Sequence, residues 1–318
     1  MRIVFSGSIA FDYLMTFPGH FRDHILPDQL DSLSLSFLTD SMTRQRGGTA
    51  ANSAYNYALL KGKATVLGTV GHDFTKYRAA LDSIGVDTSG IVEISDEFTA
   101  SFFANTDLSN AQIASFYPGA MAYAAQLKVS ELPFTPDLVV ISPDDPGAMR
   151  ARVSECQELN IPYLYDPSQQ IVSMESEDLY TGISGAHMIL VNAYEFSLIE
   201  KKLDIDEKGI VELCAVLGIT RGKQGAVIIA EGTRNETPAF PTKDVRDPTG
   251  AGDAFRGGFL RGVALDFSWE MCGLVGALAA TYCLEQVGTQ NHVYTPSAFA
   301  DRFRIHFDDR GALDVLSE

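Results

Sequence analysis

The sequence predicts an α/β fold: a doubly wound, mainly parallel sheet flanked by helices, with a small β-sheet lid. Three observations predict it. From residue 119 onward, short apolar runs alternate with helical patterns, as do the strands and crossover helices of a parallel sheet. Two polar excursions, 13–46 and 97–118, interrupt that rhythm with strand-like alternation. The chain has 318 residues, 46% hydrophobic and 20% charged, enough to bury a core without disulfides or a structural metal.

The elements follow in order. RIVFSGS (2–8) is an inner strand ending in Gly and Ser. Residues 13–46 mix Pro, Gly and charge with alternating stretches such as SLSLSFL, and read as exposed strands and loops. A helix starts at Thr49, with Ala51, Ala54, Tyr55, Ala58 and Leu59 at helical spacing and Gly62 as its stop. ATVLGTV (64–70) is a strand and 73–85 a helix ended by Gly85. Residues 97–118 alternate again and can pair with the first excursion. The core is thus expected over 1–12, 47–96 and 119–318, and the lid over 13–46 and 97–118. Strands are expected at 137–142, 162–166, 187–192 and 225–232. Helices are expected at 146–160, 193–202, 206–217, 251–264, 268–285 and 296–304.

Charge and cysteines exclude whole classes. Asp and Glu outnumber Lys and Arg by 41 to 24, for a formal charge of −17. A nucleic-acid binder needs a basic footprint, and an anionic membrane would repel this surface. A small anionic substrate is still compatible, because backbone NH groups and a few local cations can hold phosphate. The four cysteines include no C-x-x-C pair and read as reduced, buried thiols of a cytoplasmic protein. The N-terminus turns polar too soon for a secretory signal. The uncharged run Met271–Leu284 is too short to span a bilayer.

The most informative stretch is Asp247-Pro-Thr-Gly-Ala-Gly-Asp-Ala-Phe255. Gly250 and Gly252 let backbone approach a ligand, and a helix begins at once. Free NH groups and the helix dipole favour an anion there. Asp253, in the first turn, is badly placed to bind phosphate and well placed to take a proton from an attacking hydroxyl. A GxGD turn by itself reads equally as an ordinary helix start. A GxGxxG dinucleotide fingerprint fails at Phe255, and GITRGK (218–223) misses P-loop spacing, with Gln224 where Ser or Thr is required. HFRDH (20–24) lacks the Glu of a zinc-protease helix.

DPTGAGDAF resembles the C-terminal signature of the ribokinase-like (PfkB) family of sugar and nucleoside kinases. Arg46 to Asn52 (RGGTAAN) resembles its GG-x-x-x-N motif. Asn192 to Glu195 resembles its N-x-x-E magnesium motif, and Thr220 to Gly225 its T-x-G-x-x-G nucleotide loop. The four occur in the family's order. Further stretches (GSIAFDYLMTFPG, DHILPDQL, LSLSFL, AQIASFYPGAM, DPSQQ and VGTQ) are similar to those of bacterial adenosine kinases and cover lid and acceptor pocket.

The resemblance implies phosphorylation of the 5′-hydroxyl of adenosine by MgATP. Asp253 would be the general base, and Gly250, Ala251 and Gly252 would supply NH groups to the migrating phosphoryl group. Asp12, Gly48 and Asn52 would hold the ribose. Phe102 and Phe116 would stack on the purine, with Ser8, Ser36, Gln169 and Gln170 as further nucleoside contacts. Asn192 and Glu195 would orient waters around Mg²⁺. Thr220, Gly222 and Gly225 would shape the ATP loop, with Arg221, Lys223 and Arg246 adding positive potential. Parts of the family need a monovalent cation such as K⁺, for which no ligands are assigned. Open strand edges on the lid favour a homodimer. A kinase for another nucleoside or a sugar such as ribose, and a non-catalytic nucleoside sensor, stay open as alternatives.

Overall fold

In the parallel sheet the apolar runs resolve by period two. β1 (Arg2–Ser6) points Ile3 and Phe5 into one apolar layer and Val4 into the other. β8 (Leu138–Ile141) does the same with Leu138 and Val140 against Val139 and Ile141. β10 (Met188–Asn192) repeats it with Leu190 against Ile189 and Val191. Both faces are covered, so these strands read as unbroken hydrophobic runs. The computed structural model describes residues 1–25 and 34–316.

The nine-stranded sheet runs β13-β12-β11-β10-β9-β8-β1-β4-β5. Its other members are β4 (Lys63–Gly71), β5 (Ile91–Ile94), β9 (Tyr163–Tyr165), β11 (Val216–Thr220), β12 (Ala226–Ala230) and β13 (Thr233–Thr237). All pairings from β11 to β5 are parallel, and β12 and β13 add an antiparallel edge. On one face lie α1 (Thr49–Leu59), α7 (Ala251–Ala264) and α8 (Trp269–Leu284). Glycines set their spacing: a Cβ on Gly257 would come within 2.6 Å of the Ser53 carbonyl, and one on Gly258 within 2.7 Å of Ala279. α3 (Pro146–Glu158), α4 (Ser176–Ile183), α5 (Ala193–Leu203) and α6 (Glu207–Leu213) cover the other face. α2 (Thr75–Ser83) and α9 (Pro296–Arg304) complete the helices.

A second, four-stranded sheet has the order β3-β2-β6-β7. It comprises β2 (Ala10–Thr16), β3 (Ser41–Gly47), β6 (Ala100–Thr106) and β7 (Gln112–Tyr117). The β2–β3 and β6–β7 pairs are antiparallel and β2–β6 is parallel, so the two excursions do pair. The small sheet already begins at Ala10, which puts Asp12 on it. Most of DHILPDQL lies outside the described residues. Residues 34–38 of the SLSLSFL alternation form no strand.

One expected element is corrected. The helix expected at 206–217 stops at Leu213, and Val216–Thr220 is a strand. Apolar residues run through ELCAVLGI with no Gly or Pro before 218, so helix and strand merged in the pattern. The edge strands β5 and β13 and the short α4 had not been expected. Among the described residues no helix is long and apolar enough to cross a membrane.

Candidate active site

The start of α7 opens at the carboxyl ends of the parallel strands, where open α/β sheets bind ligands. Gly250 is its cap residue, at φ 78°, and no side chain caps the helix. A Cβ on Gly250 would come within 2.8 Å of Thr289, whereas one on Gly252 would meet nothing within 4 Å. The first-turn amides therefore face a cleft of about 220 Å³ without a competing side chain. The cleft is lined by Thr49, Gly250, Gly252, Asp253 and Arg256, and across from them by Gln169, Asn192, Glu195 and Thr220.

Asp253 is fixed at both oxygens. Its Oδ2 accepts from Asn52 Nδ2 at 2.9 Å and its Oδ1 from Arg256 Nη1 at 2.9 Å. Its side chain is only 13% exposed. Burial pushes its carboxyl up from the ordinary range, partly opposed by Arg256 and Asn52. Asn52 is buried, and its Oδ1 accepts from Thr289 Oγ1 and Gln290 Nε2, both at 2.8 Å. Arg256 Nη2 pairs with buried Asp166 at 2.5 Å.

Asp12 faces the same cluster from the small sheet. Burial and then the negative charges of Asp247 and Asp253 push it up to about 6. No hydrogen bond to it occurs among the described residues, so its oxygens are available to neighbouring hydroxyls. One register row crosses the sheet: Gln45, Asp12, Phe102 and Phe116. Residues so paired share a face, which puts both aromatic rings on Asp12's side. Phe116 is 50% exposed and available for stacking. Gly48 sits at φ 94°, where a Cβ would come within 2.4 Å of the Ser8 carbonyl. Ser8 Oγ accepts from Thr49 N at 3.1 Å, bracing the start of α1.

Asn192 and Glu195 form a reciprocal capping box on α5. Glu195 N donates to Asn192 Oδ1 at 2.9 Å, and Asn192 N to Glu195 Oε2 at 2.8 Å. Ser168 Oγ donates to Glu195 Oε1 at 3.0 Å. Each oxygen keeps a second lone pair. No group of three or more His, Cys, Asp or Glu that could hold a metal occurs among the described residues. Two hard oxygens without a protein cage fit Mg²⁺, which keeps much of its water. Thr220 ends β11 on the cleft. Gly222 and Gly225 take φ 55° and 82° in the following turn, where a Cβ on Gly225 would collide with the Thr237 carbonyl.

Other expected contacts lie apart. Gln170 is turned to the Asp144 carbonyl at 2.8 Å and to Ser173, outside the cleft lining. Ser36 is exposed on 34–39 and joins none of these contacts. Arg221 pairs with Glu236 and Arg246 with Asp244. Sequence reasoning passed over Arg256 and gave no individual role to Asp166 of DPSQQ or to Thr289 and Gln290 of VGTQ. The available signal was Arg256: an arginine within AFRGGFL, a helical run otherwise free of charge.

Known proteins resemble this chain along most of its length. Residues 15–296 match the model of the pfkB family carbohydrate kinases. A nucleoside kinase of Methanocaldococcus jannaschii is 28% identical over 307 residues, spanning 96% of this chain and 97% of its own. The nucleoside kinase of Burkholderia thailandensis in complex with inosine has a TM-score of 0.86 at 33% identity, covering 96% of this chain and 99% of that one. Its structure in complex with ADP-inosine gives 0.84 at 35%, covering 96% of each. The fold is thus the ribokinase-like one.

Proposed function

The chain belongs to the pfkB family of carbohydrate kinases, and from that premise we propose that it transfers the γ-phosphoryl group of ATP to the 5′-hydroxyl of adenosine, giving AMP and ADP. The observation that carries this reading is a buried carboxylate, Asp253, in the first turn of a helix whose amides no side chain caps. Asp253 takes the hydroxyl proton. The NH groups of Ala251 and Gly252 meet charge developing on the phosphoryl group. Asp12, Gly48 and Asn52 hold the ribose, Asn52 also orients Asp253, and Phe102 and Phe116 stack on the purine. The turn at Thr220–Gly225 lies under the nucleotide. Asn192 and Glu195 would orient waters of Mg²⁺, which supplies charge neutralisation to the ATP phosphates when bound.

The small sheet acts as a lid that excludes water from ATP. Its outer face carries the stacked pair Tyr13–Phe103, with Met42, Ile113 and Tyr117 exposed at 64%, 43% and 43%. We read this face as the contact of a homodimer, which light scattering of the intact protein tests: a monomer at all concentrations rejects it.

Inosine is the second acceptor to weigh, because a structural relative binds it. A coupled ADP-release assay with adenosine, inosine, guanosine, ribose and fructose tests the reading. Adenosine should give the highest kcat/KM. Turnover of sugars alone would reject a nucleoside acceptor, and adenosine binding without ADP release would leave a sensor. Phe102→Ala should weaken nucleoside binding by about tenfold, from lost stacking, and leave ribose unchanged.

A further inference from the structure

We propose that Arg256 is the positioning residue of the proposed base, locking Asp253 in one orientation while sharing its single charge with Asp166, so that Asp166 governs how readily Asp253 accepts a proton. The inference rests on the phosphoryl-transfer reading above.

The geometry is a buried bridge of three charges. Arg256 follows Asp253 by one turn of α7 and is 6% exposed. Its Nη1 donates to Asp253 Oδ1 at 2.9 Å and to Ser53 Oγ at 3.1 Å, and its Nη2 reaches Asp166 Oδ2 at 2.5 Å. Asp166, at the carboxyl end of β9, is 1% exposed. With Asn52 on Oδ2 and Arg256 on Oδ1, the Asp253 carboxylate is held in one orientation, and the residue lines the cleft. The other ionisable groups around Asp253 and its bridge are Asp12 on β2, Asp247 before α7, Glu195 on α5, Tyr77 on α2 and Cys283 on α8, with Arg46 on β3 acting on Tyr77. Among the described residues the only cation touching Asp253 is Arg256.

During transfer the nucleoside O–H bond breaks as its oxygen bonds phosphorus and the bridging P–O bond to ADP breaks. The proton arrives on Asp253 and neutralises it. Without Asp166, Arg256 would then be a buried cation with no counter-ion, a costly state. With Asp166 the pair stays matched, so proton uptake leaves no orphan charge. Arg256 alone makes Asp253 a weaker base; Asp166 restores its basicity. The two groups therefore pull in opposite directions.

The test compares Asp166→Asn, Arg256→Gln and Arg256→Lys in the full chain. It reads the pH profile of kcat and, without substrates, the ¹³C-carboxyl titration of Asp253, whose resonance Asp253→Asn identifies. Asp166→Asn should move the acid limb and the titration down by about one pH unit, and Arg256→Gln should move both up by about as much. Arg256→Gln should also lower kcat by about 10²-fold through misplacement, with nucleoside KM changed less than about threefold. Arg256→Lys keeps the charge and loses the fork, so its titration should stay near wild type while kcat falls. Titrations that do not move, or that move the same way in both variants, overturn the proposal. If Arg256→Gln does not fold, Asp166→Asn still decides, since it leaves the Arg256–Asp253 contact intact. Wild-type protein inactive on every acceptor would sink the kinase reading alone; the substrate-free titration would still judge the bridge.

Discussion

Two helices begin on the same cleft, each with an acid at its third helical position, and they treat their free amides in opposite ways. At α5 the cap is Asn192 and the acid is Glu195, and each satisfies the other's backbone NH. At α7 the cap is Gly250, with no side chain, and the acid is the shorter Asp253, held sideways by Arg256 and Asn52. A capping box uses up the dipole's positive end, whereas a glycine cap leaves it for a ligand. The lesson is that an open helix start is made as much by what the cap omits as by what it supplies.

The contrast can be broken at four places. The largest effect falls on the acid of α7: Asp253→Asn should lower kcat by at least about 10²–10⁴ and leave nucleoside binding nearly intact. Unchanged turnover in a steady-state assay would remove Asp253 from the chemistry. Next, Gly252→Leu puts a side chain over the open amides. It should cut kcat/KM for ATP by about 10², while thermal unfolding shows no loss, because Leu outranks Gly in a helix by up to about 1 kcal/mol.

Third comes the charge crowding beside α7. Asp12, raised to about 6 in the fold, stabilises the protein only when protonated. That contribution is complete below about pH 4 and is lost as pH rises through about 6. Asp12→Asn should therefore raise stability at pH 8 by roughly 1–3 kcal/mol, with the gain vanishing near pH 4, while its KM for nucleoside rises. Equal gains at both pH values in denaturant titrations would argue against charge as the cause. The smallest effect belongs to α5. Asn192→Ala should cost about 1 kcal/mol of stability. Glu195→Gln should keep the capping box and raise the Mg²⁺ concentration needed for half-maximal activity. A Glu195→Gln enzyme with unchanged Mg²⁺ dependence would confine this motif to capping.

How much of this was legible depended on whether the signal was local. The α7 turn could be read because two glycines and an acid within four residues already state a backbone requirement. The Gln45–Asp12–Phe102–Phe116 row could be read only in part: alternation marks strands, but register comes from pairing segments about 90 residues apart. β11 was hidden because α6 flows into it without a breaker. Arg256 and Asp166 were missed for a physical reason. A buried ion pair leaves no periodic trace, and an arginine in a helix looks the same whether it meets water or a carboxylate 90 residues upstream. Resemblance to a family carried the acceptor pocket, which composition and spacing alone would not have assigned.

Asn52 holds the proposed base, and its own orienting partners, Thr289 and Gln290, come 237 and 238 residues later. On the ribosome, the early helix and its asparagine would be complete long before those partners emerge. Competence to transfer phosphate would thus wait on the emergence of Gln290, and a polypeptide released short of it would carry the whole signature without being able to use it.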